Sequence, residues 1–488
     1  MKKIAIIGSG IGGLVSGNLL AKKGHQVTIF ESHSSPGGYT AGFWRNGFYF
    51  ESGTFSFEAS ELVFKVMDKI GVRDKIGFIR QKTRMKSDKF DATPETYAEF
   101  KEVLYQAYPE EKERQSRFFK EVDKLVAATR PFMTRSSLWA KTAAGLQMSL
   151  LYKKYMHQSM SQFIGKYFEK DSRLYRHWVG MVYPEMSALM IGGAIVSFIE
   201  DYWTVKGGMQ SWADVLADNF KKLGGEIKLN TYIDKIITAR GKATGVASGK
   251  EFFAADEVIS ACDYKQTFLE LLDDQSLLTK DQSRRIERAA VSESFVMVYL
   301  GLKISNEQLL KIMKVPHLSF FDEKPGLDIT DDGDDKFFEK NSIGLYSPSL
   351  LDPRLSPAGK SMLMIAAMAP PDWMENWGSG DQQKYRVLKD MAKKDMISKA
   401  EKIIPGLRGL IEYEDAATPL TYERFTHNSG GATSAWSWNP EKKYYQNMLG
   451  TKIETPVAHL YIGSCWASQM GGIPGAITAA LKCANRIG

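Results

Sequence analysis

KIAIIGSGIGGLVSGNLLAKKGHQVTIFE, residues 3–31, decides the fold. Ile4 to Ile7 is a continuous apolar run of the kind that forms a strand buried on both faces. Gly8, Gly10 and Gly13 follow at G-x-G-x-x-G spacing, with Ser9, Ile11 and Gly12 between them. Leu14 to Lys23 reads as a helix, and Gly24 stands where a helix end needs a left-handed residue. Gln26 to Phe30 is a second buried strand, and it runs into Glu31. Each part has a physical role in binding a dinucleotide. Gly8 permits the tight turn out of the strand, Gly10 lets a pyrophosphate approach the backbone, and Gly13 lets helix and strand pack closely. The helix start offers free N–H groups and a partial positive charge to phosphates. Glu31, 18 positions after Gly13, is placed to accept hydrogen bonds from a ribose diol, and its charge opposes a 2′-phosphate. A lone G-x-G-x-x-G is weak; strand, glycines, helix, strand and acid in register are specific.

The whole chain has 488 residues, too many for one hydrophobic core, so two or more domains are expected. Hydrophobic residues make up 43% and charged residues 25%, an ordinary globular composition. A net charge of +7 is too small at this length to point to nucleic acid, but it suits an anionic membrane surface. Cys262, Cys465 and Cys483 form no C-x-x-C pair and no metal spacing, so no metal is expected and a reducing compartment is. With the first strand starting almost at Met1, no secretory leader is expected. The longest apolar stretch, Ala188 to Phe198, is too short to span a bilayer. Together these features predict a cytoplasmic protein, peripheral on the inner face of the membrane.

Beyond Glu31 and Ser32 the chain reads SSPGGYTAGFWRNGFYFESGTFSF over residues 34–57. Pro36-Gly37-Gly38 is a tight turn. Phe43 to Glu51 alternates like a hairpin about Asn46-Gly47, a type I′ signal. A nucleotide fold that continues through Gly-Gly-Tyr-Thr and Glu-Ser-Gly-Thr resembles the FAD-dependent phytoene desaturase-like flavoproteins, which share the flavin amine oxidase-type fold. The resemblance implies that this turn packs against the flavin diphosphate and ribityl chain, and that Gly38, Tyr39, Thr40, Gly53 and Thr54, with Ser32, contact the cofactor. Tyr39 stands where the group often has Arg.

Trp203 to Asp263 returns to the nucleotide unit. Lys206-Gly207-Gly208-Met209 opens a helix that Leu223-Gly224-Gly225 closes. Short strands are expected at Glu226–Asn230 and Tyr232–Ile236, and a buried one at Val258–Ala261. In the resembled family this segment rebuilds the FAD domain after a long insertion, and the position matching Ile233 flanks the adenine. The last stretch, His459 to Ile487, is a strand at Leu460–Ile462, a glycine loop and a helix from about Pro474. Gly471-Gly472 admits a ligand to the backbone, and the helix start aims its positive end there. The family's equivalent element points at the pyrimidine edge of the flavin. That implies contacts from Gly463, Ser464, Gly472, Ile473 and Ala476, with Ser464 where many relatives have Asp.

Other segments read less sharply. Ser60 to Lys89 is polar and helical. Pro131 to Gln158 mixes Phe132, Met133, Leu138, Trp139, Leu146, Met148, Leu150, Leu151, Tyr152 and Met156 with Arg135, Lys141, Lys153 and Lys154 and contains no acid. It is either a membrane-surface anchor or a partly buried helix of the substrate domain, and core is the commoner fate of such a stripe. The acidic turn at Asp328, Asp331, Asp332, Asp334 and Asp335 lacks the spacing and closing Glu of a calcium loop. Thr418 to Trp438 resembles the carotenoid isomerase and retinol saturase branch. His427 within it reads as a surface or capping residue rather than an acid. No nucleophilic triad, zinc motif or carboxylate pair stands out, so no side chain is assigned a catalytic role and the chemistry falls to the cofactor.

The expected architecture is α/β: a Rossmann-like FAD-binding domain of amine oxidase type (1–89, 203–263, 451–488) with an inserted α+β substrate domain (90–202, 264–450). The expected activity is FAD-dependent desaturation, saturation or isomerisation of a lipophilic polyene, with NAD(P)H or a quinone as electron partner. The alternatives are a flavin amine oxidase and a non-catalytic FAD-binding membrane-associated protein.

Overall fold

A computed structural model describes residues 1–134, 136–323, 333–370, 372–469 and 471–488. Its first layer is a parallel five-stranded sheet in the order Leu460–Ile462, Glu257–Ser260, Lys3–Ile7, Gln26–Phe30, Glu226–Lys228. Lys3–Ile7 takes the centre because Ile4 to Ile7 have no polar face to give to water. Helices Ile11–Lys22, Met209–Lys222 and Gly472–Ile487 cover the sheet. The chain leaves the central strand towards Gln26–Phe30 and returns on its other side as Glu257–Ser260. The order therefore reverses beyond Ile7, which is where open α/β sheets hold their ligands.

A second sheet has seven strands, in the order Ile411–Ala417, Ser294–Leu302, Ser361–Ala369, Ile343–Tyr346, His317–Phe320, Thr83–Lys86, Asp91–Ala92. One face packs on helices Asn306–Met313 and Gln382–Glu401 through Val296, Val298, Leu300, Leu363 and Ile365. The other meets the hairpin Gly42–Arg45/Phe48–Glu51 through Tyr299, Met362 and Met364. The hairpin turns at Asn46 (φ 50°) and Gly47 (φ 82°), as a type I′ turn requires. Helices Tyr97–Ala107, Lys112–Met133, Arg173–Met181 and Ile191–Ile199 form a third core at one end. Among the described residues no helix is long and apolar enough to cross a membrane.

Several elements differ from expectation. The helix after Ser60 ends at Ile70, where Gly71 turns at φ 92°. Residues Phe78–Arg80 then pair with Trp203–Val205, and Thr83–Lys86 joins the seven-stranded sheet. Residues 71–89 hold short strands rather than an exposed helix, and Thr83, Arg84 and Met85 are buried in the sheet. The strand expected at Tyr232–Ile236 begins at Lys235 and runs to Ala239. The C-terminal helix starts at Gly472, two residues before Pro474. Arg135, Asp328, Asp331 and Asp332 lie outside the described residues. Asp334 pairs with Lys340.

Candidate cofactor site and adjoining cavity

The reversal point is lined by three glycine-bearing turns from distant parts of the chain. Gly8 turns at φ 93° and donates its N–H to Phe30 O at 2.8 Å, closing the exit from the first strand. A Cβ on Gly13 would lie 2.0 Å from Gly8 O, and one on Gly12 2.1 Å from Gly463 O. Both glycines are therefore packing positions: Gly13 seats the helix on its own strand, and Gly12 seats it on the C-terminal strand loop. Gly10 differs, since no atom lies within 4 Å of where its Cβ would be. It fronts open space beside the Pro36–Tyr39 turn, whose Gly37 N–H reaches Ser9 O at 3.0 Å. The first amides of Ile11–Lys22 have no intrahelical partner and face the same space.

Glu31 is buried at the end of the second strand. Its Oε2 accepts from the Ser9 N–H at 2.9 Å and the Ser9 Oγ at 2.6 Å; its Oε1 accepts from the His33 N–H at 3.0 Å and the Ser32 Oγ at 3.2 Å. Four bonds fill the acceptor capacity of a carboxylate. Two of the donors are hydroxyls that rotate, so a diol can replace them while both amides stay. Thr231 N–H donates to Glu31 O at 2.8 Å, which brings the segment containing buried Ile233 alongside.

The remaining expected residues fall around the same crevice. Thr54 N–H donates to Tyr39 O at 2.9 Å, and a Cβ on Gly53 would meet the Tyr39 ring. Tyr39 Oη donates to Ala432 O at 3.0 Å, tying the turn to residues 426–432. Thr40 is buried and its Oγ1 donates to Gly37 O at 2.7 Å; it shapes the turn. Ser464 Oγ likewise donates to Cys262 O at 3.0 Å. Gly471 (φ 52°) and Gly472 (φ 66°) open the last helix, with Ile473 half-buried and Ala476 buried. A Cβ on Gly471 would collide with Ser434 O. Amides at one helix start, a held carboxylate and a second helix start fit a flavin dinucleotide: Gly10–Gly13 would hold its diphosphate, Glu31 its ribose, and the Gly472 helix start would meet its ring.

Burial pushes the Cys465 thiol up to about 12 and the Cys262 thiol up to about 11, so both are neutral and poor nucleophiles. His427 is exposed and closes helix Pro419–Thr426 at φ 54°, a capping position. Among the described residues no cluster of three His, Cys, Asp or Glu could hold a metal.

An internal cavity adjoins the second helix start. Tyr39, Glu58, Tyr183 and Tyr202 lie deep in the protein yet are only half-buried, so they border empty space. Phe55 stacks on Tyr346 at 4.7 Å and meets His317 at 5.5 Å, and Tyr202 meets His317 at 5.4 Å. Trp438 stands edge-on to Tyr183 at 4.9 Å. Burial pushes His317 down to about 3, and its Nδ1 shares a hydrogen bond with Thr83 Oγ1 at 2.9 Å. The imidazole is neutral, so this end of the cavity is aromatic and uncharged. Apart from Tyr39, Phe55 and Trp438, which lie in stretches the sequence singles out, none of these residues stands out in the sequence, because they come from separate segments with no common motif.

The family model described as flavin containing amine oxidoreductase matches residues 11–488. Prolycopene isomerase from Daucus carota is 26% identical over 99% of this chain and 79% of its own length. The 4,4′-diapophytoene desaturase of a Methylomonas species is 27% identical over 91% of this chain and 88% of its own. Among solved structures, an oxidoreductase from Methanosarcina mazei matches with a TM-score of 0.63 at 16% identity, over 98% of this chain and 99% of that one.

Proposed function

This chain belongs to the flavin-containing amine oxidoreductase family, and we propose that this FAD-dependent oxidoreductase makes, removes or isomerises carbon–carbon double bonds in a lipophilic polyene of isoprenoid type. The observation that carries the reading is the interior aromatic cluster of Phe55, Tyr183, Tyr202, Tyr346 and Trp438 beside Glu58, which reaches the head of Gly472–Ile487. A polyene is long, polarisable and without charge. Aromatic walls hold it by dispersion and exclude water. The similarity of the chain, over nearly its full length, to a prolycopene isomerase and to a carotenoid desaturase supports the same class.

When bound, the flavin supplies hydride acceptance or return. The protein's own part is binding and electrostatics. Glu31 and the Ile11–Gly13 amides hold the dinucleotide's ribose and diphosphate. The Gly472 helix start places positive potential at the cavity head, which favours negative charge there. NAD(P)H or a quinone is the external electron partner.

Substrate of this kind resides in lipid, and a membrane-facing helix follows. Leu138–Tyr155 turns Leu138 (81% exposed), Trp139 (86%), Leu146 (69%) and Leu150 (78%) outward, while Ala144, Leu151 and Tyr155 pack inward. Interfacial helices present such a stripe. We place the enzyme on the cytoplasmic leaflet through it.

Chromatography of carotenoid-type polyenes incubated with FAD-loaded protein, under reducing and oxidising conditions, tests the reading. New double-bond products support it. Unchanged polyenes together with peroxide formation from amines would transfer the protein to the amine oxidases.

A further inference from the structure

Glu58 reaches the head of the C-terminal helix: its Oε1 lies 3.8 Å from where a Cβ on Gly472 would sit. The chain is pinned on both sides of it. Phe57 donates its N–H to Trp203 O at 2.8 Å and accepts from Trp203 N–H at 2.9 Å. Ala59 turns in the left-handed region, at φ 55° and ψ 48°, which its Cβ disfavours. Asp201 holds that turn, accepting from Ser60 N–H at 3.0 Å and from Trp203 Nε1 at 2.9 Å. A strained non-glycine residue kept in place by its surroundings is characteristic of sites where a neighbouring group must be aimed.

The groups facing Glu58 are Asp201, Tyr183 and Tyr202, and beyond Tyr183 lies Glu293, itself near Glu185 and Lys442. Burial raises the phenols, which stay neutral. Burial first, and then the negative charge of Asp201, push the Glu58 carboxyl up to about 7. Near neutrality it can therefore either give or take a proton.

We propose that the Glu58 carboxyl exchanges the proton that leaves or enters the substrate's carbon skeleton when a double bond is made or removed. The proposal rests on the reading of the protein as a polyene oxidoreductase. In desaturation one C–H bond would break and its electron pair leave with the hydrogen as hydride, for which the bound flavin would be the two-electron acceptor. The neighbouring C–H bond breaks, its pair becomes the new C=C bond, and its proton forms the Glu58 O–H bond. Saturation is the reverse, and the carboxyl O–H then supplies the proton.

Two measurements on the FAD-loaded protein test this, with Glu58→Gln as the isosteric variant and Asp201→Asn as the remote one. Difference infrared spectroscopy across pH 5.5–8.5 follows the protonated carboxyl, with or without substrate. Turnover in D2O follows solvent hydrogen entering the polyene. The expected result is a carboxyl signal titrating near pH 7 that Glu58→Gln lacks. That variant retains its melting temperature and FAD, with turnover and deuterium entry about 10²–10⁴-fold lower. Asp201→Asn removes a like charge and moves the pH midpoint of both readouts down. An active wild type with an equally active Glu58→Gln variant and an unchanged pH profile overturns the proposal alone. A wild type that leaves every polyene unchanged overturns the substrate reading and the proposal with it. In that case the infrared signal still shows whether Glu58 holds the proton.

Discussion

Ser9 donates both its backbone N–H and its hydroxyl to one oxygen of Glu31, at 2.9 and 2.6 Å. The glycine loop and the end of the second strand are thereby locked together before any ligand arrives, with the acid aimed into the crevice. Replacing Glu31 by Gln keeps the volume but removes the charge-assisted acceptance, worth about 1.5–3 kcal/mol for a bond to a charged group. FAD affinity of Glu31→Gln, titrated by flavin fluorescence quenching, is expected to fall roughly 10- to 150-fold. Unchanged affinity would show that the ribose lies elsewhere.

The glycines of the loop separate by role. At Gly10 an added Cβ meets nothing, whereas at Gly13 it would lie 2.0 Å from Gly8 O. Gly10→Ala should therefore fold with an unaltered melting temperature and lose FAD, because the methyl occupies the space the phosphates need. Gly13→Ala forces backbone against backbone and costs about 1–3 kcal/mol or more. It should melt earlier even without FAD. Thermal melts of both apo variants check the pair, and an equal loss of stability in the two would contradict it.

How much of this was legible in the sequence follows from how local each constraint is. The diphosphate loop must put glycine at fixed spacing within a few residues, so Gly8 to Gly13 and Gly471 to Gly472 announce themselves. The hairpin at Asn46-Gly47 is equally local. Glu58, Tyr183 and Tyr202 share a cavity only because separate segments fold together, and nothing in ESGTFSFEAS marks Glu58. The helix Leu138–Tyr155 was ambiguous for another reason. Its apolar side chains lie on both faces, so periodicity singles out neither: Leu146 and Leu150 face outward while Leu151 and Tyr155 face in. The stretch 71–89 reads as helix because strands of three and four residues are too short for their alternation to show against its polar composition.

Glu51 carries a pH signature. It is buried, accepts from Tyr49 Oη at 2.7 Å and from Met209 N–H at 3.1 Å, and burial pushes it up to about 8. A carboxyl raised on folding favours the native state while it stays protonated. That contribution is complete below its unfolded value of about 4.5 and is lost as pH rises to about 8. Glu51→Gln cannot ionise, so its melting temperature relative to wild type should climb between pH 5 and 8 and level off above. Parallel curves across that range would exclude a buried, titrating Glu51.

The outward stripe of Leu138–Tyr155 predicts a surface function without a folding one. Leu138→Ser, Trp139→Ser, Leu146→Ser and Leu150→Ser combined should leave the melting temperature within a few degrees, since exposed substitutions each change stability by about 0.5 kcal/mol or less. Each large apolar side chain contributes about 1.5–3 kcal/mol when buried in lipid, so flotation with anionic liposomes should fall at least tenfold. Variant and wild type floating alike would remove the helix from the membrane interface.

The most direct measurement is an anaerobic spectral titration of the purified, FAD-reconstituted protein with carotenoid-type polyenes, and separately with amines. Two helix starts from opposite ends of the chain, one at the diphosphate and one at the ring, predict a yellow protein whose flavin absorbance responds to polyene and not to amine. A protein that stays colourless after reconstitution, or a flavin that bleaches with amines and ignores polyenes, would contradict it.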